Sequence, residues 1–376
     1  MIDGLRRFVR EDVAPAFAPW VASRAIVVVG ILLARDLLDH LRADPRPVAA
    51  AQGLFAWDAA YYRDVAQGGY DAVAHAGLRF FPLLPLIARA VAAPIGGRVG
   101  PVIIVIVWLA ALAYGALLHR FVLGETGDRG LARRSVWIGF LAPPALCLVL
   151  GYAEALLAVA AVGAFLAARR GHWWWAAAAA YAAALARPTG VLLALPLAVE
   201  AFLALRRGST EGRSILGMAT AVVAPALGLL TFLGWSSAAG NGFLEPLRIQ
   251  SSARLRGGTV PPWTSLHGAL DALGSGDRLG SGLHLVWAIV VIVCVVAAAR
   301  RLPVSCTVWA AASVLVALCA PNLDSFERYA LVTFPVVVGA GVLTARPRDL
   351  FPAVTALAGA GLLGATVLAA IGRLVP

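Results

Sequence analysis

Four polar residues stand out in an otherwise apolar chain because their types and positions could do chemistry. Asp58 lies in Trp57-Asp58-Ala59-Ala60-Tyr61-Tyr62-Arg63-Asp64-Val65-Ala66-Gln67-Gly68-Gly69-Tyr70. On pattern alone it is the N-cap of a short helix that puts Trp57, Tyr61 and Val65 on one apolar stripe and ends at the glycine pair. Asp64 sits almost two turns further on, too far to act as an acid–base partner, and reads as a solvated helix charge. Arg187 and Arg328 fall at the ends of apolar segments, where an unpaired charge is costly. A guanidinium there suits bidentate phosphate binding, snorkelling, or an ion pair with Glu154 or Glu327. Glu154, next to Tyr152, could orient an arginine, bind hydroxyl groups or form a structural salt bridge. The six histidines include no pair at metal-ligand spacing. His75, close to the Asp58 stretch, reads as a solvated loop residue. The four cysteines lie in or beside apolar segments and read as small core residues.

The elements that hold these residues are hydrophobic helices. The chain of 376 residues is 61% hydrophobic and 14% charged, with a mean hydropathy of +0.83, against about 45–50% and 25% for a soluble domain. We expect an all-α integral membrane protein, a single membrane-embedded unit over 1–376. With about 20 apolar residues needed per span, about eleven spans fall near 20–38, 99–120, 135–150, 152–168, 172–186, 189–205, 214–236, 283–299, 302–320, 328–345 and 350–372. The stretch 80–97 is apolar, but Arg79, Arg89 and three prolines break it into an interfacial or re-entrant helix. The net charge of +11 is carried by arginine in short runs between apolar segments, a topology signal and not a nucleic-acid surface. With Arg6, Arg7 and Arg10 in the cytoplasm, the loops at Arg129/Arg133/Arg134, Arg169/Arg170, Arg206/Arg207/Arg213, Arg300/Arg301 and Arg346/Arg348 all fall on that side. Two long loops, 39–98 and 237–282, then lie outside, with Asn241, Glu245, Arg248, Gln250, Arg254 and Arg256 in the second. Trp173, Trp174 and Trp175 read as an interfacial aromatic belt. The dinucleotide-like run Gly359-Ala-Gly361-Leu-Leu-Gly364 follows no strand and reads as small-residue helix packing.

An ordered set of motifs carries a resemblance. Trp57-Asp58 with Tyr61-Tyr62, Phe80-Phe81-Pro82-Leu83-Leu84-Pro85-Leu86, Tyr152-Ala153-Glu154, Arg187-Pro188-Thr189-Gly190 and Arg328-Tyr329 ahead of Phe334-Pro335 resemble, over about residues 50–340, the PIG-V-type GPI mannosyltransferases and their bacterial relatives. Ala153 replaces a common hydroxyl residue, and 237–282 has little counterpart. The resemblance implies a GT-C bundle with 39–98 as catalytic extracytoplasmic loop, including interfacial helices, and Asp58 as catalytic base. One carboxylate suffices, because a phosphate leaving group needs charge stabilisation and not a proton. An outside site, away from cytoplasmic nucleotide sugars, is best supplied by a polyprenyl-phosphate sugar. The expected enzyme is an inverting mannosyltransferase of a bacterial plasma membrane, acting on a glycolipid, glycan or protein, with no metal or other cofactor and no nucleic-acid partner. Arg328 and Arg187 would hold the donor phosphate, while Trp57, Tyr61, Tyr62, Tyr152, Glu154 and Tyr329 would support sugar or acceptor. Another lipid-linked sugar, or a lipid or small-solute transporter, are the alternatives.

Overall fold

A computed structural model describes residues 4, 6, 8–41, 47–208, 212–252, 255, 257–275, 281–347 and 349–375; Arg7, Arg254, Arg256, Arg348 and the side chain of Arg213 lie outside the described residues. Among the described residues the chain is helical throughout, without strands. The longer helices are α1 (Ala14–His40), α2 (Asp58–Gly68), α3 (Leu83–Ala92), α4 (Val99–Thr126), α5 (Arg129–Leu141), α6 (Glu154–Arg169), α7 (Trp173–Ala186), α8 (Ala194–Arg206) and α9 (Gly212–Ala238). They continue through α10 (Glu245–Gln250), α11 (Pro262–Ser275), α12 (Ser281–Ala299), α13 (Val304–Leu318), α14 (Phe326–Val332), α15 (Phe334–Leu343) and α16 (Leu350–Ala370).

Each of the eleven expected segments is helical, yet among the described residues six helices are long and apolar enough to cross a membrane, or seven if the bent pair α14–α15 counts as one. Local chemistry accounts for the difference. Pro143 and Pro144 end α5 and force the chain into a 3-10 segment, Pro143–Leu148. Pro188 does the same after α7, giving Pro188–Leu193, since proline lacks the donor that would continue an α-helix. Helices α6, α7 and α13 have only 16, 14 and 15 residues, or about 21–24 Å at 1.5 Å per residue, short of a hydrocarbon core of about 30 Å. Thr333 separates α14 from α15, Pro335 is the second residue of α15, and α15 turns 85° from α14. The expected interfacial piece is a ten-residue helix, α3.

Small side chains set the packing. Alanine-rich α7 lies against α9 so closely that a Cβ on Gly228 would come within 2.5 Å of the Tyr181 carbonyl oxygen. Gly361, in the dinucleotide-like run, lies inside α16 and faces the Pro143 ring. At the centre, Phe334 meets Phe121 and Phe165 edge-on, both at 5.2 Å between centroids. The arginine-rich loops are tied together by ions: Arg169 donates to Glu125 at 3.0 and 2.7 Å and reaches Glu200 at 3.4 Å. Arg134 and Arg301 both approach Asp128. Of the three consecutive tryptophans at this end, Trp173 is buried in the bundle, and only Trp174 and Trp175 are exposed as a belt would be.

Candidate functional site

The other end of the bundle gathers chain segments far apart in sequence. Asp58 is the first residue of α2, Arg79 ends the 3-10 turn His75–Arg79, Glu154 begins α6, Arg187 follows α7, and Arg328 and Tyr329 lie in α14. The expected cap is corrected by the geometry: the N-cap position belongs to Trp57. The Asp58 carboxylate spans outward, with Oδ2 accepting from Arg328 Nη1 at 2.9 Å and Oδ1 lying 3.6 Å from Arg79 Nη2. The expected stripe is also shifted. Ala59, Tyr62, Val65 and Ala66 form the buried face of α2, because α3 and α4 pack there, while Trp57 and Tyr61 are half-buried.

Glu154, 1% exposed, anchors the cluster: its Oε1 accepts a hydrogen bond from Arg187 Nη1 and lies 3.1 Å from Arg328 Nε. Arg187 Nη2 donates to the Tyr329 hydroxyl at 3.0 Å. The Arg328 guanidinium sits 5.2 Å from the Tyr152 ring centroid, and Arg187 5.0 Å from that of Tyr329, distances at which a cation is attracted to a ring face. Both arginines are thus paired, but Glu327 is not the partner; it accepts from His284 at 2.6 Å. Three guanidiniums meet two carboxylates, leaving one excess positive charge. Their side chains grade from Glu154, 1% exposed, through Arg328 and Arg187 to Arg79, 16%, and Asp58, 21%, so the carboxylate a ligand can reach is Asp58. Burial works to raise its pKa, but Arg328, Arg79 and Arg187 outweigh that and hold the carboxyl below its ordinary value. Burial pushes the Tyr62 hydroxyl upward, so it stays protonated.

Among the described residues, two other than glycine adopt positive φ: Trp57 at 59° and Ser325 at 64°. They precede the helices that carry Asp58 and Arg328. Such conformations cost about 1–3 kcal/mol each and persist where surrounding contacts fix them. Trp57 is fixed by a hydrogen bond from Nε1 to the Ala369 carbonyl, 3.1 Å, at the end of α16. Tyr61 stacks on Phe80 at 4.7 Å, and Arg79 lies over the same Phe80 ring.

Residues that the sequence reading passed over complete the frame. Arg79 entered it only as an interruption of an apolar run; its position just before Phe80-Phe81-Pro82 was the available signal. Arg24, buried within α1, has no carboxylate partner among the described residues; its Nη2 donates to the Leu148 carbonyl at 2.8 Å, and its guanidinium packs over Trp20 and Phe140. Trp108 Nε1 donates to the neighbouring Val149 carbonyl at 2.9 Å. These donors satisfy carbonyls of the segment that leads to Tyr152 and Glu154, groups that would be costly to leave bare in an apolar interior. An arginine inside an apolar span was the sign in the sequence.

Other expectations resolve singly. Asp64 is half-exposed and bonded to Arg63 at 2.9 Å, away from the cluster. His75, exposed, is not merely solvated: its Nε2 lies 3.0 Å from Glu245 Oε1, linking the first long loop to the second. Among the described residues no group of three or more His, Cys, Asp or Glu side chains is placed to hold a metal ion.

No protein-family model matches this chain, and no curated protein matches it in sequence. Among solved structures, the chain is similar to an archaeal oligosaccharyltransferase, AglB from Archaeoglobus fulgidus, in complex with an inhibitory peptide and a dolichol-phosphate, at 13% identity and a TM-score of 0.43. The match covers 93% of this chain and 55% of that one, so the chain spans about half the length of that protein.

Proposed function

We propose that this chain is an inverting mannosyltransferase of the GT-C type, similar to the PIG-V-type enzymes, that moves mannose from a polyprenyl phosphate to a hydroxyl of a glycolipid, glycan or protein. In this reading the eleven helical segments form the bundle, counting the short ones with their 3-10 extensions. The arginine-rich end faces the cytoplasm and the Asp58 end faces outward.

The observation that supports it is the convergence of a reachable carboxylate with two buried arginines, Arg187 and Arg328, and the half-buried Arg79, in net positive excess. Four of the arranged motifs, far apart in sequence, supply all of it but Arg79: Trp57-Asp58, Tyr152-Ala153-Glu154, Arg187-Pro188 and Arg328-Tyr329. A site with one uncompensated guanidinium charge is complementary to a phosphate, and guanidinium offers it paired donors. Asp58 accepts the proton of the acceptor hydroxyl as its oxygen bonds to the anomeric carbon. The bond from that carbon to the phosphate oxygen breaks, its electron pair leaving on the phosphate, where Arg328, Arg79 and Arg187 stabilise the added charge.

In the unliganded site Asp58 is a weak base because Arg328 holds it. A donor phosphate neutralises that cation, lifts the carboxyl toward its ordinary basicity and readies it only when a donor is present. The test is transfer of label from polyprenyl-phosphate [14C]mannose by the purified chain in proteoliposomes. Labelled glycolipid or glycan supports the proposal; no transfer from this or any other lipid-phosphate sugar sinks it.

A further inference from the structure

Between α1, α5 and α16, towards the arginine-rich end, runs an open groove of about 630 Å³. Its walls include Ile26, Trp137, Leu141, Phe351 and Gly359, and Arg133 stands at the same end. The lining of α16 runs from Phe351 to Leu363, about 18 Å at 1.5 Å per residue, slightly more than one leaflet of a hydrocarbon core about 30 Å thick. Arg133 is exposed and makes no hydrogen bond or ion pair among the described residues, whereas its neighbour Arg134 binds the Gly341 carbonyl and approaches Asp128. An apolar trough one leaflet long, with a free guanidinium at its end, is complementary to an acyl chain beneath an anionic headgroup.

We propose that this groove is a binding site for one anionic phospholipid, with an acyl chain along α16 and its phosphate on Arg133. The site is separate from the Asp58 cluster, and the proposal stands whether or not the chain transfers mannose. It has a consequence for that cluster all the same. Little of helix α16 is fully buried, and its far end, about 27 Å from Phe351, accepts the hydrogen bond of Trp57, the residue before Asp58. A lipid wedged against α16 braces the support of Trp57.

The test uses the full chain in nanodiscs of equal parts phosphatidylglycerol and phosphatidylcholine, released into native mass spectrometry. Wild type is expected to retain one phosphatidylglycerol. Arg133→Gln removes the charge and leaves the trough, and its preference for phosphatidylglycerol over phosphatidylcholine should fall about fivefold, the worth of one basic residue at a lipid surface. Gly359→Leu fills the trough and leaves the charge. A Cβ there meets the Ile26 side chain at 3.5 Å, ordinary contact, so the helix accommodates it, and lipid of both kinds should be lost. Retention that is equal in wild type and Gly359→Leu, a preference unmoved by Arg133→Gln, or a dimer in place of a lipid adduct that Gly359→Leu abolishes would each overturn the proposal.

Discussion

Replacing Glu154 by glutamine tests the anchoring of the arginine cluster. Glu154 is 1% exposed and lies within ion-pair reach of both Arg187 and Arg328 through one oxygen. The amide keeps the shape and an acceptor but removes the charge, so the cluster goes from one excess positive charge to two. Removing one partner of a buried ion pair costs about 3–5 kcal/mol. Since the amide oxygen still accepts a hydrogen bond, the lower end, about 3 kcal/mol, is expected. Thermal unfolding followed by tryptophan fluorescence in detergent measures it, with and without a short-chain polyprenyl phosphate. The unliganded variant should unfold well below wild type, and the lipid phosphate should restore more stability to the variant than it adds to wild type, because the anion meets two uncompensated charges. The added gain should be about 1–2 kcal/mol, well below the unscreened attraction of about 4 kcal/mol for charges 4 Å apart near a protein surface. Unchanged melting, or equal stabilisation of both proteins by the phosphate, would refute the reasoning.

Arg79→Gln removes a cation 3.6 Å from Asp58, one of the charges that hold its carboxyl below the ordinary value, so the Asp58 pKa should rise. Because the folded pKa is depressed, the stability Asp58 contributes is complete above its unfolded value of about 3.9 and is lost as pH falls through the folded value; in Arg79→Gln that loss should be smaller and complete at a higher pH, and the acid limb of kcat/KM should move to higher pH. Arg24→Leu strips the Leu148 carbonyl of its donor and should cost about 1–3 kcal/mol of stability. It should also lower kcat more than it raises KM through displacement of Glu154, with Arg24→Lys recovering part of both.

The Asp58 site was legible in the sequence wherever its residues are embedded in distinctive neighbours. The Trp57-Asp58 pair, the arginine before Pro188 and the Arg328-Tyr329 pair announced themselves by standing at the edges of apolar runs, and the structure places them together. What was not legible is which charge meets which. Local spacing made Asp58 a helix cap because a carboxylate at a helix start ordinarily accepts from backbone donors. Its actual partner is 270 residues away in sequence, and no local pattern encodes that. Glu327 looked like a natural mate for Arg328 for the same reason of proximity, yet adjacent positions on a helix point apart, and it turns to His284. The helical segments were read correctly as segments, but hydropathy does not register how Pro143, Pro188 and Pro335 break the ladder, so length was overcounted. Arg24 was hidden because it sits inside a stretch read only for its apolarity.

The claim at the centre of this account is that Asp58 takes the acceptor proton while its arginine neighbours take the phosphate. The most direct measurement compares wild type with Asp58→Asn, shown to be folded by its melting curve and still able to bind polyprenyl phosphate, in transfer of label from polyprenyl-phosphate [14C]mannose. The account predicts a loss of at least about a hundredfold in kcat, the low end for removing a general base, with binding of the lipid phosphate retained. Transfer by Asp58→Asn at the wild-type rate would contradict it.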